Sequence, residues 1–240
     1  MLGLIPARAG SKRLLGKNLL CLLDRPLIAW SIDAGKESTI IDNVVVSTED
    51  KEIIQVAKKF GADSIIERPF ELATDHASSN DVLIHALDTL SDRGESYSYV
   101  AFLQPTSPLR TAYHIDEVFK LMATKRAGAV IGVCKTEHPR EWTGKIPSNG
   151  SLSSFFLETE LGRLSQEFSP TYQINGAIYI VPTDKFLQEN TLFLQAGMVA
   201  YVMDRFSSVD IDEEYDLMFA DWLLTHRDGH AINVSGPRIQ

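Results

Sequence analysis

The chain has 240 residues, 44% hydrophobic and 23% charged, with a formal net charge of −9, the proportions of an ordinary globular protein with room for a substantial core. An isoelectric point near 5.1 argues against general nucleic-acid binding, because the basic stripe that phosphate backbones require is missing outside one loop. No apolar stretch approaches the roughly 20 residues of a membrane span, and Pro6 and Arg8 interrupt the first apolar run before it reaches the length of a signal-peptide core.

The basic loop comes first. Leu4-Ile5-Pro6 reads as a short strand running into Ala7 to Asn18, which carries Arg8, Lys12, Arg13 and Lys17 and no acid. The stretch from Pro6 to Pro26 is far longer than the roughly 2 to 6 residues usual between a strand and a helix. Gly10 and Gly16 let backbone N–H groups approach an oxyanion that the cations neutralise, so the direct reading is polyanion binding. The plain alternative is a solvated basic loop. It is not a Walker A loop, since five residues separate the two glycines and Lys17 is followed by Asn18 rather than Ser or Thr.

Pro26 to Ile32 then reads as a helix opened by proline, and Asn43 to Ser47 as a buried strand. Ile53, Val56, Ala57 and Phe60 recur at i, i+3, i+4 and i+7, giving an amphipathic helix stopped by Gly61. A strand at Ser64 to Glu67 follows. This alternation implies a mainly parallel sheet with right-handed crossovers. Arg68 to Ala77 has no periodicity, and Ser78 with Asp81 stands in capping-box spacing before a helix carrying Val82, Leu83, Ala86, Leu87 and Leu90.

Tyr99 to Leu103 is the next strand, and it ends in Gln104-Pro105-Thr106-Ser107-Pro108-Leu109-Arg110. Ligands in open α/β sheets sit outside the carboxyl ends of strands, which places Gln104, Thr106, Ser107 and Arg110 where a substrate would lie. The two prolines also suit a merely rigid connection. A helix from Tyr113 to Ala123 and a strand from Ala129 to Cys134 come next. From Lys135 to Thr171 the composition turns rich in Pro, Gly, Ser and Thr. Asn149-Gly150, between Trp142 to Ile146 and Leu152 to Phe156, signals a hairpin that needs another surface to pack on.

The core resumes at Tyr172 to Val181 and Met198 to Met203. A last helix follows, with Tyr215, Met218, Phe219 and Trp222 on one apolar face and a loosely ordered tail after His226. Asp210 and Asp212 sit one residue apart in an extended segment and so share a face. Two carboxylates that close repel unless a cation lies between them, which makes magnesium their natural partner. Alternatively, Asp212 with Glu213 and Glu214 only caps and charges the last helix. Cys21 and Cys134 occupy apolar runs and read as free, buried thiols, and the expected compartment is the cytoplasm. His226 and His230 share helical spacing but read as tail residues.

These motifs together resemble the acylneuraminate cytidylyltransferases, also called CMP-sialic acid synthetases. The likeness runs through Ile5-Pro6-Ala7-Arg8, Gly10-Ser11-Lys12, Lys17-Asn18, Ser47-Thr48, Arg68-Pro69 to Ser79, Gln104 to Arg110, Asn175-Gly176-Ala177-Ile178-Tyr179 and Asp210-Ile211-Asp212. It implies a single Rossmann-like nucleotidyltransferase domain over residues 1–240, with a mostly parallel sheet flanked by helices. Residues 135–171 would form an inserted, protruding dimerisation hairpin. It further implies transfer of CMP from CTP to the anomeric hydroxyl of a nonulosonic, sialic-type acid, with magnesium as cofactor, pyrophosphate as by-product and a homodimer as the working unit.

By the same resemblance Arg8, Ser11, Lys17 and Asn18 would hold the triphosphate, and Arg68, Ala77 and Ser79 the cytosine and ribose. Gln104, Asn175 and Tyr179 would line the sugar site, and Asp210 with Asp212 would bind the metal. Leu164-Ser165 stands where the family commonly has paired arginines, which leaves Arg163 as the nearest cation for the sugar carboxylate. Glu49 replaces the usual aspartate after Ser47-Thr48, and Asp24-Arg25 replaces Gly-Lys. Asn18 favours the sialic-acid branch over the KDO cytidylyltransferases, and Asn175 to Tyr179 favour sialic or legionaminic over pseudaminic acid. The rival readings are a nucleotidyltransferase of other base or sugar specificity and an inactive nucleotide-binding homologue.

Overall fold

Short runs that are apolar at every position suit strands covered on both faces, and such runs recur along this chain. In the computed structural model, which describes residues 1–152 and 162–226, they form β1 (Leu2–Pro6), β4 (Asn43–Thr48), β5 (Ser64–Glu67), β6 (Tyr99–Phe102), β7 (Ala129–Lys135), β8 (Tyr172–Pro182) and β9 (Met198–Met203). β2 (Cys21–Leu22) and β3 (Arg25–Pro26) make a separate two-stranded ribbon. The large sheet has the order β5-β4-β1-β6-β8-β7-β9. All its neighbours are parallel except β8, which runs antiparallel to both β6 and β7.

Alternation along each strand divides the core. Ile5, Val44, Val46, Ala101, Val130, Ile178 and Ile180 face one side, where α1 (Leu27–Glu37), α2 (Lys51–Lys59) and α4 (Ala112–Lys125) pack. Leu2, Leu4, Val45, Val100, Phe102, Ile131 and Val181 face the other, against α3 (Ser79–Asp92) and α5 (Thr183–Glu189). Caps match the local chemistry. The Asp50 carboxylate accepts from the amides of Glu52 and Ile53 at 2.8 Å each, and the Ser78 hydroxyl accepts from the Asp81 amide at 3.1 Å. A third cluster joins Leu22, Leu27, Leu109, Ile211 and Ala220, where α6 (Glu214–His226) meets the ribbon.

Several expectations are corrected. Cys134 is buried but Cys21 is exposed, because in the ribbon it alternates with Leu22, which takes the inward position. The Tyr215, Met218, Phe219 and Trp222 face of α6 lies outside, with exposures of 65, 68, 47 and 39%, while Ala220 is fully buried. The helix docks through Leu217, Ala220 and Leu224, an equally good i, i+3, i+7 stripe. β9 is an edge strand, and only Met203 on it is buried. Trp142 to Ile146 is no strand: Arg140–Trp142 is a 3-10 turn, and residues 143–152 carry no regular element. The other proposed hairpin flank from residue 153 onward, His230 and the tail after His226 lie outside the described residues. β7 ends at Lys135 and β8 begins at Tyr172 opposite it, so the connection between them is closed at its base, where Thr136 N–H donates to the Thr171 carbonyl at 2.9 Å.

The sequence shows no strong signal for α5, yet its Phe186 is fully buried in the second core cluster. Phe186→Ala is expected to cost about 3 to 5 kcal/mol, measured by urea unfolding. A cost below about 1 kcal/mol would mean that α5 is not part of the cooperative core.

Candidate active site

In this strand order the chain leaves β1 toward β4 and returns on the opposite side at β6, so the sheet reverses direction of growth between β1 and β6. The loops at the carboxyl ends of these two strands must part there, leaving a crevice. The basic loop leaves β1 on one side of it, and Gln104 to Arg110 leave β6 on the other. Thr48 ends β4, Glu67 ends β5, and the amino-terminal part of antiparallel β8 reaches the same edge.

The basic loop closes on carboxylates. Lys17, buried in the 3-10 turn Lys17–Leu19, pairs through Nζ with Asp212 Oδ1 at 2.8 Å, across 195 positions of sequence. Arg13 takes Asp212 Oδ2 at 2.9 Å. Arg8 and Lys12 share Asp75, at 2.8 and 2.6 Å, and Lys12 first and Arg8 with it hold that carboxyl below the ordinary range. Within the loop's own pairs, four cations thus share two acids. Asn18 is buried and its Nδ2 donates to the Arg8 carbonyl at 2.8 Å, so it ties the two ends of the loop together. Ser11 lies half-buried between them.

Glu49 is the next anchor. One oxygen accepts from the Ala9 amide at 2.8 Å and the other from Arg68 Nε at 3.0 Å. Arg68 is buried, which lowers its pKa, an effect the neighbouring Glu49 opposes. Its Nη2 has no partner among the described residues. Ala77 is half-buried and Ser79, the first residue of α3, is exposed. Glu49 and Asp75 were not among the expected site residues. The available signal was charge: Asp75 lies in the aperiodic stretch from Arg68 to Ala77, where an acid can pair with the unmatched cations of the basic loop.

Ile211 is fully buried between Asp210 and Asp212, and its amide donates to the Thr106 carbonyl at 2.7 Å. Both carboxylates are therefore turned the other way, as alternation in an extended segment requires. Burial and then the charge of Asp212 raise the Asp210 pKa, against a hydrogen bond from Thr106 and the charge of Lys17. The helix-capping role falls to Asp216, whose Oδ2 accepts from the amides of Asp212 and Glu213 at 2.9 and 2.8 Å.

The residues expected to line a sugar site are placed unevenly. Gln104 is half-buried, and its Oε1 lies only 2.4 Å from where a Cβ on Gly176 would stand, a position whose φ of +73° already favours glycine. Tyr179 is mostly buried against Phe102 and Phe193, and burial with the charge of Asp210 raises its pKa. Asn175 faces inward: its Nδ2 donates to Ser208 Oγ at 2.9 Å, and its Oδ1 accepts from the Ala177 amide at 3.2 Å. Ser107 and Arg110 are also buried beneath their turn rather than open to the crevice, because Pro105 and Pro108 fold it back onto β8. Arg163 is held within its own segment by the Glu167 carbonyl at 2.6 Å and the Phe168 ring at 4.2 Å, and no described contact brings it to the crevice. A separate groove of about 800 Å³, between Phe119, Pro182 and Leu187, opens at the opposite end of β6 and contains none of these residues.

A family model described as cytidylyltransferase matches residues 2–143, more than half of the chain. The chain belongs to the cytidylyltransferase family. Over 221 residues it is 36% identical to an N-acylneuraminate cytidylyltransferase of Escherichia coli O18:K1:H7, covering 92% of this chain and 51% of that protein, so the chain spans about half of that relative's length. It is 32% identical over 217 residues to the pseudaminic acid cytidylyltransferase of Campylobacter jejuni, covering 90% of this chain and 93% of that one. Among solved structures, a CMP:2-keto-3-deoxy-manno-octonic acid synthetase complexed with CTP superposes with a TM-score of 0.67 over 94% of this chain and 98% of its own. At 15% identity, that likeness bears on the fold alone.

Two ion pairs in this chain should respond differently to disruption. Arg68 and Glu49 have side-chain exposures of 3 and 14%, whereas Arg13 is 61% exposed. Glu49→Ala strands a buried guanidinium and should cost about 3 kcal/mol or more, while Arg13→Ala should cost less than about 1 kcal/mol. Equal costs in urea unfolding would contradict the assignment of Glu49 as a structural anchor.

Proposed function

We propose that this chain transfers CMP from CTP to the anomeric hydroxyl of a nonulosonic acid, releasing pyrophosphate. The observation that carries the reading is the direct contact of Lys17 and Arg13 with Asp212, which sets a cationic loop against a carboxylate pair at the sheet's switch point. The anomeric hydroxyl gives up its proton to solvent water as its oxygen forms a bond to the α-phosphorus, while the bond from that phosphorus to the pyrophosphate oxygen breaks. Negative charge grows on the leaving pyrophosphate, where Arg8, Lys12 and Lys17 offset it. Arg68, with its unpartnered Nη2, fits the nucleoside end of the same ligand.

Asp210 and Asp212 fit magnesium. The ion favours hard oxygen donors and is commonly held by one or two carboxylates together with substrate phosphates, and the burial of Ile211 between them leaves Asp210 and Asp212 on one face. Bound there, magnesium would neutralise phosphate charge and polarise the phosphoryl oxygen. Lys17 and Arg13, which pair with Asp212 in the ligand-free chain, lie within reach of the same carboxylate and would serve the phosphates beside it.

A homodimer and a cytoplasmic setting complete the proposal. The exposed α6 face of Tyr215, Met218, Phe219 and Trp222 supports self-association, and two free cysteines suit a reducing compartment. Light scattering is expected to give twice the mass of one chain, and the mass of one chain alone would remove the dimer.

Pyrophosphate release is expected to require CTP, a nonulosonic acid and magnesium, and to stop on chelation. A panel of sialic, legionaminic and pseudaminic acids with CTP, UTP, GTP and ATP separates the specificities, and no release in any combination would end the proposal. Asp210→Asn should lower turnover at least about 100-fold, the scale of losing one transition-state electrostatic contact, without unfolding the chain. Asp210 is the cleaner probe of the pair, since removing Asp212 also strands buried Lys17.

A further inference from the structure

Outside the phosphate clamp, one side chain sits at odds with its surroundings. Arg110 is 1% exposed, the largest fully buried side chain among the described residues. No carboxylate among them pairs with it, and burial alone brings its pKa down to about 9, which leaves it protonated at neutral pH. Its Nη1 donates to the Ala177 carbonyl at 3.2 Å and to the Gln104 carbonyl at 3.4 Å. Nε and Nη2 have no partner among the described residues. A charge withdrawn from water with no opposing charge destabilises the folded state, so stability does not account for a guanidinium at this position.

What Arg110 touches suggests its purpose. Gln104 and Ala177 belong to the two walls that meet at the crevice, the turn after β6 and the bend of β8. From beneath, one nitrogen with two N–H groups spans both carbonyls, and only a planar guanidinium offers further donors in the same fixed fork. The Ser31 hydroxyl also donates to the Gln104 carbonyl, at 3.3 Å, and the Ser107 hydroxyl to the Asn175 carbonyl, at 3.4 Å. From above, the Gln104 carboxamide lies across Gly176, where even a methyl group would collide with it. The spacing of the two walls therefore fixes where the carboxamide sits.

We propose that Arg110 is a positioning residue for the acid-sugar subsite: by bridging the carbonyls of Gln104 and Ala177 it holds the Gln104 carboxamide against Gly176, facing the acceptor sugar. The proposal rests on the cytidylyltransferase reaction proposed above. It does not extend to the nucleotide, whose cations are on the other side of the crevice, and so the two substrates should respond differently.

The test is steady-state kinetics of Arg110→Met with each substrate varied in turn, together with thermal unfolding of the ligand-free protein. The expected result is a KM for the sugar acid raised at least about 10-fold, a KM for CTP within about twofold of wild type, and a melting temperature equal to or above wild type. A lowered melting temperature with both KM values raised alike would make Arg110 a structural residue and overturn the proposal, as would unchanged kinetics. Gly176→Ala displaces the same carboxamide from the opposite side and should reproduce the sugar-selective defect, so the proposal stays testable if the Arg110 variant does not fold; a normal sugar KM in a folded Gly176→Ala protein overturns it.

A wild-type chain that forms no product with any sugar acid would count against the reaction, not the bridge. The bridge is then read from hydrogen exchange at the Ser107 and Ile211 amides, both bonded to the turn. Exchange at least about 10-fold faster in Arg110→Met supports it, and unchanged exchange overturns it.

Discussion

The contact between Lys17 and Asp212 joins the first loop of the chain to its last ordered connection, and most of the site follows from it. Lys17 has a side-chain exposure of 11% and Asp212 of 37%, so the lysine pays most of the desolvation and the carboxylate keeps an open side. Such a half-buried pair is poor evidence of stabilisation, because the loss of hydration offsets much of the attraction. Its meaning lies in what it brings together. A loop of cations cannot form a compact wall without anions between them, and Asp212 and Asp75 supply those anions. A polyanion entering the crevice meets donors that are already converged, and the ordering entropy of long side chains has largely been met in folding.

Topology supplies the place. Growth of the sheet in one direction from β1 and in the other from β6 separates their following loops, and the antiparallel β8 then brings a bend, rather than a strand end, to the same edge. That bend needs Gly176 in a left-handed conformation and room for Gln104, and it needs Gly132 opposite it, where an added Cβ would lie 2.7 Å from Asn175 Oδ1. The register shift between Ile131 and Val133 falls at that glycine, as expected where a strand must yield to a close neighbour.

The strands of the large sheet and five of the six α-helices among the described residues were legible because burial on one or both faces leaves a period that sequence displays directly. Arg8 to Asn18 was legible for a different reason, a local reversal of charge sign in an acidic chain. Where sequence reasoning failed, two outcomes shared one pattern. On α6 the Tyr215 stripe and the Leu217 stripe are both apolar at helical spacing, and only the position of Leu22, Leu109 and Ile211 decides which one docks. Cys21 was misplaced because a two-residue strand is too short to show alternation. Arg110 was placed among the residues where a substrate would lie, since arginine is almost never buried without a partner, and the exception arises from a tertiary bridge between carbonyls that are 73 positions apart in sequence numbering, at 104 and 177.

Asn175 shows how an inward-facing residue can set the geometry of the crevice. Its carboxamide donates to Ser208 Oγ at 2.9 Å and to Met203 Sδ at 3.2 Å, and Ser208 in turn donates to the Asp204 carbonyl at 2.6 Å. The same side chain accepts from the Ala177 amide, two residues along the bend. Every one of these partners lies in the wall that carries Gly176, at the end of β9 or in the turn that leads from β9 to Asp210. A buried amide with its donors and acceptor all used is rigid, because releasing any one partner leaves a polar group unsatisfied in the core. The wall that faces Gln104 and the segment that carries the carboxylates are thereby fixed to one another through a single residue. The spacing between the bend of β8 and the segment of Asp210 and Asp212 is therefore a property of the fold.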